Sequence, residues 1–147
     1  MGKEICLITV NYNDWKTTEE FVVMVSEFQI IDHIIVVDNK STDESYDKLK
    51  TIEGEKVTVI QSKKNGGYGA GNNYGMKYAH RKYSPELFVI SNSDIIFTND
   101  LLKEMIKTLR ESSDVSVVAP KMQYPDGRYA RNTAWRIPES FLYTISS

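Results

Sequence analysis

A single cysteine, Cys6, stands in a chain of 147 residues, so no disulfide can form within it. That fits a reducing compartment, and Cys6 itself, inside the first apolar run, reads as a small core hydrophobe. An excess of positive charge is also missing. Eighteen Lys and Arg against twenty Asp and Glu give a formal net charge of -2 and a pI near 5.7, which removes the whole-chain basic field of a nucleic-acid binder. Nowhere is there the run of roughly 18 apolar residues that a spanning helix needs. The opening MGKEICLITVNYND meets charge too early for a secretory signal. The two histidines, His33 and His80, have no partner spacing that suggests zinc. Internal repeats, low-complexity segments and interdomain linkers are absent as well.

What is present has the composition of a globular domain, 41% hydrophobic and 26% charged. Four short runs are apolar throughout: residues 5–10 (ICLITV), 34–37 (IIVV), 57–60 (VTVI) and 87–90 (LFVI). Segments of helical character follow them, over residues 15–28, 44–52, 72–82 and about 100–110. Asp14, Asp43 and either Asn99 or Asp100 are the expected N-caps. Residues 115–119 are expected to form a fifth strand, and YPDGR at 124–128 a tight turn between two short antiparallel strands. Strands without a polar face, alternating with helices, predict a mostly parallel sheet covered on both sides. Ligands in such sheets sit beyond the C-terminal strand ends.

Four polar clusters fall at those ends, and each has two readings. In DNKSTD, Asp38 is either a cap or a carboxylate that accepts from a ribose hydroxyl or a base N–H. In NGGYGAGNN, Gly66, Gly67, Gly69 and Gly71 make either a flexible connection or a close approach to a ligand, with Lys63 and Lys64 nearby to favour phosphate. The spacing is not the dinucleotide fingerprint, because Asn72 occupies the third glycine position, and the Gly-Lys-Ser/Thr ending of a P-loop is missing. In SNSD, Asp94 is either a turn residue or an oxygen ligand for a hard cation, with Asn92 able to add a neutral oxygen. Tyr12, Tyr68, Tyr74 and Trp135 are candidates to stack on a base, or packing residues.

Taken in order, TVNYND, VVDNKSTDES, NGGYGAGNNYGMKYA and ISNSD resemble the family 2 glycosyltransferases, and among them the rhamnosyltransferase-like enzymes of bacterial polysaccharide synthesis. VAPKMQYPDGRYARNTAWRIP is similar to that group's segment after the fifth strand. The resemblance implies a GT-A fold, a Rossmann-like three-layer α/β/α sandwich, over residues 1–147 as one nucleotide-sugar-binding domain. It implies inverting transfer of a sugar from a UDP-, dTDP- or GDP-linked donor to a glycan or lipid-linked acceptor, at the cytoplasmic side of a membrane. Carried onto these positions, Val10, Asn11, Tyr12 and Asp38 hold base and ribose, and Asn65 with Gly66, Gly67 and Gly69 borders the nucleotide. Asn73 supports the helix start. The metal motif falls on Asn92, Ser93 and Asp94, with Asp94 the ligand for Mg²⁺ or Mn²⁺.

The family's general base lies further downstream than this sequence reaches, so neither Asp126 nor Glu139 is assigned that role. The expectation is a chain that binds donor and metal, transfers slowly or not at all, and self-associates through uncovered sheet edges. A non-catalytic nucleotide-sugar-binding module is the alternative. A nucleotidyltransferase is disfavoured, because NYND is nothing like the Gly-rich basic loop expected after its first strand.

Overall fold

The computed structural model describes residues 4–130. Its chain divides into two compact units, one running through Lys103 and the other from Glu104. In the first, β1 (Ile5–Asn11), α1 (Trp15–Ser26), β2 (His33–Asp38), α2 (Ser45–Lys50), β3 (Val57–Gln61), α3 (Tyr68–Tyr83) and β4 (Leu87–Ile90) alternate, and α4 (Asn99–Glu111) crosses the division.

All four strands are parallel, in the order β3-β2-β1-β4. β1 and β2 are central, and residues 5–8 and 34–37 are 3% exposed or less, which is why their sequences have no polar face. Successive side chains of β1 point to opposite sides. Ile8 and Val10 meet α3, while Asn11 meets Thr18 of α1. Helices therefore cover both faces of the sheet. Cys6, at the centre of β1, is fully buried, and burial, with help from the charges of Asp32 and Glu4, pushes its thiol up to about 12.

α1 starts where expected: Asp14 accepts from the Thr17 amide at 3.4 Å and the Thr17 hydroxyl at 2.9 Å. It buries Thr18, Phe21, Val22 and Val25, and Phe97 packs edgewise on Phe28 and against Phe21. α4 is capped differently from the expectation, by Thr98, whose hydroxyl accepts from the Leu101 amide at 3.2 Å.

α3 departs most from its sequence signal, beginning at Tyr68 inside the glycine-rich segment. A Cβ on Gly71 would lie 2.9 Å from Val10, and one on Gly75 would lie 2.7 Å from Ile8 and 2.8 Å from Val37. These two glycines let the helix lie flat on the sheet, and that packing outweighs their poor helix propensity, about 1 kcal/mol each. Within the segment only Gly67, the N-cap, has positive φ, at 83°.

In the second unit, residues 115–119 form no strand, and Val117 is 82% exposed. β-branched residues become a strand only with a ladder to join, and none pairs with them among the described residues. The turn at Tyr124–Arg128 is present, closed by Gly127 to Tyr124 (2.9 Å) and Tyr124 to Arg128 (2.8 Å), and a single antiparallel bridge, Gln123 with Tyr129, flanks it. Trp135 and Glu139 lie outside the described residues. No helix among the described residues is long and apolar enough to cross a membrane.

Candidate functional site

After β1 the chain steps outward through β2 and β3, then returns to the other side of β1 as β4. The order reverses between β1 and β4, and in open α/β sheets the crevice beyond such a reversal is where ligands bind. An open cleft of about 240 Å³ lies there, lined by Val10, Asn11, Tyr12, Asp14 and Thr18 on one side and Asn92, Ser93 and Asp94 on the other, with Tyr68 completing it. Six of the residues expected at the site thus converge: Val10, Asn11, Tyr12, Asn92, Ser93 and Asp94.

The polar groups of this region divide into braced and free. Asn11 is 1% exposed; its Oδ1 accepts from the Thr18 hydroxyl at 3.0 Å, and its Nδ2 donates to Asp38 Oδ1 at 3.0 Å. Asp38, expected to face a ribose or base, is instead wholly buried behind Asn11. Its Oδ1 also accepts from the Ser41 hydroxyl at 2.5 Å, and its Oδ2 accepts from the Ser41 amide at 3.1 Å and Gln61 Nε2 at 2.9 Å. Four donors fill the carboxylate's acceptor sites, so Asp38 positions its neighbours and has no lone pair turned to the cleft. Tyr12, by contrast, is 47% exposed and Tyr68 48%. Asp94 is exposed, and no hydrogen bond or ion pair holds its carboxylate among the described residues.

The remaining expected residues act at one remove. Asn65 Oδ1 accepts from Asn39 Nδ2 and from the Gly67 amide, both at 2.9 Å, tying the glycine segment to the end of β2. Gly66, Gly67 and Gly69 are exposed and do not line the cleft; Tyr68 represents their segment there. Asn73 does not support a helix start, because α3 begins five residues earlier and Asn73 lies exposed on its second turn. Its neighbour Asn72 is the buried one, with an Oδ1 that has no hydrogen-bond partner among the described residues. Thr18 was missed by the sequence reading, although a signal existed: it is the one hydroxyl on α1's buried face, among Phe21, Val22 and Val25.

A hard divalent cation takes oxygen ligands, frequently one or two carboxylates completed by substrate phosphates. Among the described residues no three His, Cys, Asp or Glu side chains gather to hold an ion by themselves. An unbonded Asp94 carboxylate flanked by Asn92 and Ser93 in an open cleft suits that shared kind of coordination.

Comparison with known proteins agrees with this architecture. The chain is 26% identical over 127 residues to the low-salt glycan biosynthesis hexosyltransferase Agl10 of Haloferax volcanii, covering 86% of this chain and 39% of Agl10. It therefore spans about two fifths of the length of that curated relative. Among solved structures, the mannosyltransferase PcManGT of Pyrobaculum calidifontis, in complex with GDP-Man and Mn²⁺, superposes with a TM-score of 0.63 at 22% identity, over 84% of this chain and 36% of that one. TarS 1-349 of S. aureus superposes with a TM-score of 0.60 at 20% identity, over 81% and 39%. Both neighbours share the GT-A fold expected from the sequence, an α/β architecture around a parallel sheet. The sequence model of glycosyl transferase family 2 matches residues 6–146, nearly the whole chain, which belongs to that family.

Proposed function

We propose that this chain is the donor-binding portion of an inverting glycosyltransferase of cell-surface polysaccharide synthesis. It takes a UDP-, dTDP- or GDP-linked sugar together with Mg²⁺ or Mn²⁺ and serves a glycan or lipid-linked acceptor at the cytoplasmic face of a membrane. The observation that carries the reading is Asp94, a carboxylate with no protein partner among the described residues, set in the switch-point cleft beside two half-exposed tyrosines. A neighbour of similar backbone, PcManGT, was solved with GDP-Man and Mn²⁺, which supports the nucleotide-sugar class that the family resemblance implies.

In this reading the tyrosine faces of Tyr12 and Tyr68 receive the base, and Asn92, Ser93 and Asp94 face the diphosphate. The cation, when bound, supplies Lewis acidity that offsets the charge gathering on the departing diphosphate. The chain's own part is to hold the donor in one pose and present its anomeric carbon to an incoming hydroxyl. Removing that hydroxyl's proton needs a base within hydrogen-bond reach. Asp14, the other carboxylate of the cleft, is engaged in capping α1. Asp14 is therefore not assigned as that base, in keeping with the expected slow transfer, or with a binding module without transfer. The cleft's 240 Å³ is also smaller than the roughly 300–1,000 Å³ of a complete small-molecule pocket. Among the described residues β4 is an edge strand of the four-stranded sheet, with Ile90 48% exposed, which supports self-association.

Thermal unfolding with UDP, dTDP, GDP and NAD, each with and without Mn²⁺, tests the proposal. A ligand at 100 times its Kd stabilises the native state by about 2.7 kcal/mol. Metal-dependent protection by UDP, dTDP or GDP is expected, and its loss in Asp94→Ala. Equal protection of wild type and Asp94→Ala, or protection by NAD alone, overturns the reading.

A further inference from the structure

Tyr12 offers an exposed ring, yet the backbone on either side of it is pinned. On one side, the Asn11 carbonyl accepts from the Asn39 amide at 2.8 Å, and the Asn11 side chain donates to Asp38 and to the Ser41 hydroxyl, the latter at 3.2 Å. On the other, the Asn13 amide donates to the same Ser41 hydroxyl at 2.9 Å. The Asn13 side chain bonds Thr42 through both its ends: its Nδ2 donates to the Thr42 hydroxyl at 3.2 Å, and its Oδ1 accepts from the Thr42 amide at 2.8 Å and lies 3.4 Å from the Thr42 hydroxyl.

Asn13 is held at φ 55° and Lys40 at φ 62°. Both are left-handed conformations, which Asn tolerates but which cost a residue such as Lys roughly 1–2 kcal/mol. The bend at each place aims the two loops at one another. Where they meet, Ser41 works at full capacity. Its single proton goes to Asp38 at 2.5 Å, and its oxygen accepts from Asn13 and Asn11. One hydroxyl has one donor and two acceptor positions, and all three here fix the turn that carries Tyr12.

We infer that Ser41 is a positioning residue for donor binding: with Asp38 behind it and Asn11 and Asn13 in front, it fixes the corner at residues 11–13 and so the Tyr12 ring against which the base of a nucleoside diphosphate stacks. The inference rests on the donor-binding reading above. It adds a residue that never touches the donor yet sets its affinity, from a loop 29 residues away in sequence.

A double-mutant cycle separates this role from plain stabilisation. Calorimetric titration with UDP, dTDP and GDP in the presence of Mn²⁺ compares wild type, Tyr12→Ala, Ser41→Ala, the double variant and Ser41→Thr. Stacking on an aromatic ring contributes about 1–3 kcal/mol per base, so Tyr12→Ala is expected to weaken binding roughly 5- to 150-fold. Ser41→Ala should lose about tenfold, a hydrogen bond's worth of order at the ring. The double variant should bind no more weakly than Tyr12→Ala, and Ser41→Thr should regain most of the loss. In the ligand-free chain, hydrogen exchange of the Asn13 amide should accelerate in Ser41→Ala and slow again in Ser41→Thr.

Losses that multiply in the double variant, or an unchanged Asn13 amide, overturn the inference. So does a Ser41→Ala chain that binds as wild type does, while the donor reading survives. A wild-type chain that binds none of the three nucleotides sinks the donor reading and this role with it. Should Ser41→Ala fail to fold, Thr42→Ala at an exposed position carries the same test, with a loss of about threefold expected and wild-type affinity the overturning result.

Discussion

Asp38 and Asp94 are two aspartates near the C-terminal ends of parallel strands, on either side of the central strand β1, and they have opposite fates. Asp38 is wholly buried and surrounded by four donors, from Asn11, Ser41 and Gln61. Asp94 is exposed and holds nothing among the described residues. A carboxylate removed from water has to be compensated by its surroundings, and once compensated it has nothing left to offer a ligand. The difference teaches that two aspartates near strand ends are told apart by their donors: one braces the frame, and the other is left without a bond among the described residues.

The comparison breaks if the two positions respond alike. The largest effect is expected from Asp38→Ala, which strands donors from three parts of the chain. At roughly 1–3 kcal/mol for each buried group left without a partner, the loss should reach about 3 kcal/mol or more, measured by urea unfolding. Asp38→Asn sharpens the point, since it keeps the shape but turns an amide N–H₂ toward groups that donate. Its cost should be smaller, about 1–3 kcal/mol. Asp94→Ala should be smallest, within about 0.5 kcal/mol of wild type, as at surface positions free of special contacts. A fall of 2 kcal/mol or more in Asp94→Ala would mean that Asp94 braces the fold and would undo the contrast.

Four of the five expected strands were legible because burial on two faces leaves an unbroken apolar run, as in the β2 residues Ile34 to Val37, which are fully buried; residues 115–119 form none. α1 was legible through Asp14 and the spacing of Phe21 and Val25. The start of α3 was not. Glycine density signals a loop by local propensity, whereas Gly71 and Gly75 answer to Val10, Ile8 and Val37, contacts with no local signature. The role of Asp38 was hidden for a related reason. The carboxylate is visible in the sequence, but two of its donors come from Asn11 and Gln61, 27 and 23 residues away, and only the assembled sheet aligns them. Tyr12 and Tyr68 were named as stacking candidates alongside Tyr74 and Trp135. The structure places Tyr12 and Tyr68 at the cleft and leaves Tyr74 outside its lining.

The lone thiol of Cys6 has a practical consequence. β1 lies between β2 and β4, paired to both, and Cys6 faces His33 in one and Phe88 in the other. Alkylating reagents attack the thiolate, and a thiol whose ionisation is pushed up to about 12 stays protonated through the ordinary range. Iodoacetamide at pH 8 should therefore mark the chain only when the sheet comes apart, and the rate of marking becomes a clock for that event. Because the folded thiol ionises later than the unfolded one, stability should also decline as pH climbs above 9 toward 12. Rapid labelling of the native chain at pH 8 would show that the central strands open far more readily than their burial implies.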